Sequence, residues 1–196
     1  MNFKEMDNES KIAAVVEGGR YGRAEILLAQ EYINALHSND KAIIEEYETF
    51  GDSPRRIIQN KMAYEQALSV YGFTGKKFDE HGWLADRAFA DCESFHFGFG
   101  IKGCTMGANS ITIGRSPNNK WTYGLHLAAP KSGSAYGLSV FSDPHDSRRE
   151  CLRSALTAMI EWHTKEDDRR TAPVTKEARD MLDEIMGRKP KQLSLW

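Results

Sequence analysis

Apolar positions in the first 70 residues recur with the period of a helix, and from about residue 94 the period shortens to two. In the first stretch Ile26, Leu27, Tyr32, Ile33 and Leu36 make one stripe, extended by Ile43, Ile44, Tyr47 and Phe50. This predicts an amphipathic helix or a broken pair. Gly51 and Asp52 interrupt it, and Ser53 followed by Pro54 predicts the start of a second helix, with Ile57, Ile58, Met62, Leu68 and Tyr71 as its stripe. The short connection predicts an antiparallel helical hairpin over residues 1–78, ending in a turn region over 72–79.

In the second stretch Phe95, Phe97, Phe99 and Ile101 alternate with His96, Gly98, Gly100 and Lys102, as a half-buried strand requires. Ile111 and Ile113 predict a second strand, residues 117–120 a turn, and Trp121, Tyr123, Leu125 and Leu127 a third strand. A glycine- and serine-rich loop over 131–134 then precedes a fourth strand over 136–141. Ser147 and Glu150 have capping-box spacing ahead of a stripe of Leu152, Ala155, Leu156, Met159 and Ile160, which predicts a helix across one sheet face. Past Pro173, Thr175 is the expected N-cap of a last helix with Ala178, Met181, Leu182, Ile185 and Met186 inward and Gly187 as its stop. The expected class is α+β: a hairpin region (1–78), a four-stranded antiparallel sheet with its covering helix (79–170), a C-terminal helix (171–187), and a tether and tail (188–196).

Composition narrows the function classes. With 196 residues, 40% hydrophobic and 28% charged, the chain is long enough to bury a core. A net charge of −2 argues against a generic nucleic-acid coat, which is usually basic. No apolar run reaches membrane-spanning length and the N-terminal residues lack a signal-peptide pattern, so the expected location is cytoplasmic. Cys92, Cys104 and Cys151 are odd in number and scattered, which fits reduced thiols. No cofactor is expected.

Two clusters carry candidate chemistry. Asp143, His145 and Asp146 sit in a strand-to-helix loop, where carboxylates and imidazole can converge on a metal; a metal-dependent nuclease or hydrolase is the alternative reading, against turn and helix-dipole roles for the same residues. Arg115, Lys120, Lys131, Arg148, Arg149 and Arg153 are candidates for one basic edge contacting DNA, with Trp121 and Tyr123 either stacking bases or joining the core. Gly98, Gly100 and Gly103 match a dinucleotide fingerprint in spacing only, because a strand runs through the first glycines and no helical pattern follows.

The last residues stand apart. After Gly187 comes a basic, proline-broken tether through Pro190 and Lys191, then Gln192, Leu193, Ser194, Leu195 and Trp196. Leaving two leucines and a tryptophan in water costs roughly 25 cal/mol per Å², which predicts a receiving surface: a partner, or this chain's own core if the tail folds back. The pentapeptide resembles the Gln-Leu-Ser/Asp-Leu-Phe peptides with which bacterial polymerases, repair factors and many phage and plasmid proteins bind the sliding clamp of DNA replication. The resemblance implies a rim hydrogen bond from Gln192, entry of Leu193 and Leu195 into an apolar cleft, and Trp196 in an aromatic subpocket where the family usually places Phe. The part from Trp121 to Trp162 resembles small strand-then-helix modules of phage and plasmid DNA-maintenance proteins. The function implied is an accessory protein of a phage or mobile element, docked on the clamp and acting in or inhibiting replication or repair; a further alternative is an inhibitor that binds another host enzyme through the helical hairpin.

Overall fold

The computed structural model describes residues 2–18, 21–85, 87–98, 109–166 and 169–188. The fold is α+β, with six α-helices and a four-stranded antiparallel sheet among the described residues. The chain divides into two compact units, residues 1–86 and 87–196.

The first unit is helical: α1 (Asn8–Glu17), α2 (Arg23–Ser38), α3 (Lys41–Glu48) and α4 (Pro54–Ser69). The expected hairpin is thus four helices. The first stripe resolves as the broken pair α2 and α3, because Asn39 takes a left-handed conformation (φ 53°) that ends α2, while Asp40 accepts from Ala42 and Ile43 N–H to open α3. Period alone did not separate α1, which buries only Lys11 and Val15.

Polar groups thread this unit's core. Tyr32 and Tyr47, both fully buried, stack with ring centroids 5.1 Å apart. Their hydroxyls donate to Glu48 (3.0 Å) and Glu31 (2.7 Å). Buried Lys11 pairs with Glu48 at 2.6 Å, and buried Lys61 with Glu46 at 2.7 Å and Glu65 at 2.9 Å. Each buried ammonium therefore has a carboxylate, as desolvation requires. The buried face of α2 is Ala29, Tyr32, Ala35 and Leu36. Ile26 (53% exposed), Leu27 (72%) and Leu68 (40%), expected in the buried stripes, lie at the surface.

In the second unit the sheet order is β1 (Ala90–Phe97), β2 (Asn109–Arg115), β3 (Trp121–Ala129), β4 (Ser132–Tyr136), all neighbours antiparallel. The register aligns Phe95 with Ile111, Ile111 with Leu125, and Leu125 with Tyr136. Phe97, Ile111, Ile113, Leu125 and Leu127 share one core with Cys151, Leu152, Ala155, Leu156 and Met159 of α5 (Arg148–Glu166) and with Val174 and Ala178 of α6 (Ala172–Ile185). Ser147 Oγ accepts from Glu150 N–H at 3.2 Å and opens α5.

Three boundaries differ from expectation: β1 begins at Ala90, ahead of the alternation that starts near residue 94, and ends at Phe97, with Gly98 outside the strand, and β4 and α6 also begin elsewhere. β4 begins at Ser132, so the glycine- and serine-rich stretch is strand and residues 137–141 are not. An edge strand pairs through its backbone, and Ser132 and Ser134 oppose Ala129 and Leu127 across a two-residue turn without needing apolar side chains. α6 begins at Ala172, with Pro173 in its first turn, where a missing N–H costs nothing; Thr175 is therefore inside the helix. Its end is as expected. Gly187 N–H donates to Glu184 C=O at 3.0 Å and Arg188 N–H to Asp183 C=O at 2.8 Å, with Gly187 at φ 70°, a Schellman stop.

Gly124 is required by a close approach, since a Cβ there would lie 2.6 Å from Tyr136 O. Gly124→Ala should cost about 1–3 kcal/mol. Denaturant unfolding checks this, and an unchanged midpoint would contradict the close approach.

Candidate functional site

The turn after β2 gathers charge. Arg115 donates from Nε to Asp91 at 2.6 Å and from Nη1 to Asn119 at 2.7 Å, Asn119 holding the turn with φ 57°. Lys120 pairs with Asp146 at 2.5 Å. Arg148, at the start of α5, grips Glu93 of β1 with two bonds of 2.6 and 2.5 Å. The guanidinium's hydrogen bonds hold the Glu93 carboxyl below the usual carboxylate range, and Lys120 does the same for Asp146. Half of the expected basic edge is thus matched by carboxylates. Arg149 and Arg153 are exposed on α5. Lys131 lies in the β3–β4 turn, at the opposite end of β3 from Lys120; at roughly 3.3 Å per residue that is on the order of 27 Å. A single edge therefore does not include it. Trp121 and Tyr123 are half-buried against the core instead of forming an open stacking surface.

The loop carrying Asp143, His145 and Asp146 is tied to the same end. His145 exchanges backbone hydrogen bonds with Trp121 at 2.9 and 2.8 Å, and its ring stacks on Tyr123 with centroids 5.8 Å apart. Burial disfavours its charged form, and its Nε2 is buried without a hydrogen-bond partner. Asp146 is engaged by Lys120, and Asp143 is exposed. Among the described residues no group of three or more His, Cys, Asp or Glu side chains is placed to hold a metal ion.

A second polar constellation went unnoticed in the sequence. Asn109, the fully buried first residue of β2, accepts from Ala128 N–H at 2.7 Å and donates to Ala128 C=O at 3.2 Å. His163 of α5 places Nε2 2.9 Å from Asn109 Oδ1, and its Nδ1 is buried with no partner. His163 also lines a groove of about 500 Å³ bordered by Arg169, Thr171, Thr175, Lys176 and Arg179. The residues are 54 apart in sequence, so only the register of β2 under α5 reveals the pairing.

The tail candidates Gln192, Leu193, Leu195 and Trp196 lie outside the described residues, as do Phe99, Gly100, Ile101, Lys102, Gly103 and Cys104. The last described feature before the tail is the Schellman stop, with Arg188 exposed. No described helix is long and apolar enough to cross a membrane.

The chain matches no family model, no curated protein and no solved structure.

The Glu93–Arg148 pair sets a pH signature. Because the folded-state pKa of Glu93 is depressed, its contribution is present above the usual carboxylate range and is lost as pH falls through the depressed value. For a surface pair the effect is ~0–1 kcal/mol. Glu93→Gln should therefore lower stability at pH 7 and approach the parent chain as pH falls below the usual carboxylate range in denaturant titrations; a difference that does not narrow on acidification would contradict the pairing.

Proposed function

We propose that this protein is an accessory factor of a phage or mobile element that docks on the bacterial DNA sliding clamp through Gln192, Leu193, Leu195 and Trp196, and so acts in replication or repair or inhibits it. The observation that carries the reading is the pentapeptide Gln-Leu-Ser-Leu-Trp placed beyond the helix stop at Gly187. A proline at position 190 is unfavourable to a continuing helix, and Arg188, Lys189 and Lys191 make the sequence before the pentapeptide basic. A peptide of this sequence offers two leucines and an indole to an apolar cleft, while the Gln192 amide supplies a directional hydrogen bond at the rim.

A single tail of five residues binds at about the micromolar level, roughly −8 kcal/mol. The clamp is a ring with repeated clefts, so a second contact from the folded body, or two tails in a dimer, raises occupancy through effective concentration. Occupying the cleft brings the body to replicating DNA and at the same time competes with polymerases for it.

Leu195→Ala combined with Trp196→Ala should weaken binding to a purified clamp by about a hundredfold or more in calorimetry, with an unchanged circular dichroism spectrum and melting midpoint. Unchanged affinity would overturn the reading. A loss of helix content would instead show that the tail packs on its own fold.

A further inference from the structure

His163 is 2% exposed and its two ring nitrogens have different fates. Nε2 lies 2.9 Å from Asn109 Oδ1. The Asn109 amide cannot be turned round, because Ala128 presents its N–H to Oδ1 and its C=O to Nδ2; exchanging O and N would set donor against donor and acceptor against acceptor. Oδ1 only accepts, so Nε2 carries the hydrogen, and in the neutral ring Nδ1 is a bare lone pair. Burial favours that neutral form. A buried acceptor without a donor is costly, which marks Nδ1 as a position awaiting one.

The groove that His163 lines runs between the end of α5 and α6 as far as Asp183. Arg169, Lys176 and Arg179 bring three positive charges to it; against them stand Asp180 and Asp183, the latter with Arg188 3.9 Å away. The cations select an anion. The lone pair on Nδ1 selects a ligand that brings its own hydrogen.

We propose that this groove binds a phosphate-class oxyanion bearing an O–H, inorganic phosphate or the monoanion of a phosphomonoester, with Arg169, Lys176 and Arg179 drawing the charge and His163 Nδ1 accepting the ligand's hydrogen. Nδ1 is buried in the ligand-free fold, so the hydrogen bond requires its surroundings to rearrange as the ligand seats. A volume of about 500 Å³ falls in the usual range for ligand sites and leaves room for the organic part of an ester. Phosphodiesters and sulfate have the charge and tetrahedral shape but no hydrogen at neutral pH. In the groove their oxygens would face the Nδ1 lone pair, acceptor against acceptor, so the site discriminates against them.

The test is a nuclear magnetic resonance titration of the full chain, following the His163 imidazole, with inorganic phosphate and with sulfate at matched ionic strength and pH 7. The expected result is a saturable shift with phosphate and binding of sulfate weaker by about tenfold or more. Equal response to the two anions, or no saturable shift at His163 with phosphate, would overturn the proposal. Lys176→Ala combined with Arg179→Ala changes exposed side chains only and should weaken phosphate by about tenfold; unaltered affinity counts against the site. An alkyl phosphomonoester at pH 6, where about half carries the hydrogen, distinguishes the sources. Tighter binding than inorganic phosphate assigns an ester as the ligand, and weaker binding assigns the free ion.

Discussion

The carboxamide of Asn109 fixes more of the second unit than any other polar group described. It sits where the β2–β3 ladder, whose last backbone pair is Ser110 with His126, has run out, and continues the ladder by one side-chain step to Ala128. Its oxygen also meets the ring of His163, so strand register and the azimuth of α5 are tied to one group. In an interior without water each of these atoms needs its partner. An aspartate would set an acceptor against Ala128 C=O, and a leucine would leave two backbone groups and an imidazole unpaired. Networks of this kind are stable only when complete, which makes the unpaired Nδ1 of His163 a meaningful exception.

Around this point the apolar packing is ordinary, and it is the part that was legible in the sequence. Alternation gave β2 and β3 because both strands bury one face, through Ile111, Ile113, Leu125 and Leu127. The Ser147 cap and the Gly187 stop were legible because each is a local device whose partners lie within a few residues. The bounds of β4 were not, since an edge strand of Ser, Gly and Ala carries no periodic signal and is specified by its neighbour's backbone. Ile26 and Leu27 misled for the converse reason: period identifies a possible face, and tertiary packing kept Tyr32 and Leu36 of the expected stripe while adding Ala29 and Ala35 in place of Ile26 and Leu27. The Asn109–His163 contact was illegible in principle, because neither residue stands out in its own element and only the assembled register brings them together.

Charge followed a similar rule. In the first unit Lys11 and Lys61 are buried and each is matched by glutamate, so their role is internal. In the second unit Arg115, Lys120 and Arg148 act as local staples to Asp91, Asp146 and Glu93, holding the turn and the start of α5 to the sheet. A count of basic residues therefore overstates the field available to a phosphate backbone. Arg149 and Arg153 keep their exposure, but two cations on one helix do not make the long positive track that nonspecific DNA binding uses.

Helix α6 links the two proposed activities. Val174 and Ala178 seat it in the core and Glu177 accepts from Gly98 N–H at 2.8 Å, so its position is set by the sheet and not by either ligand. Lys176 and Ile185 are about 14 Å apart along the axis at roughly 1.5 Å per residue. The groove nevertheless extends along α6 to Asp183, whose carbonyl accepts from Arg188 N–H in the Schellman stop. Asp183 thus belongs both to the groove lining and to the helix stop that the proposed docking segment follows in sequence. Val174 and Ala178 hold α6 itself in the core, so any coupling between the two would run through Asp183 and not through a shift of the helix.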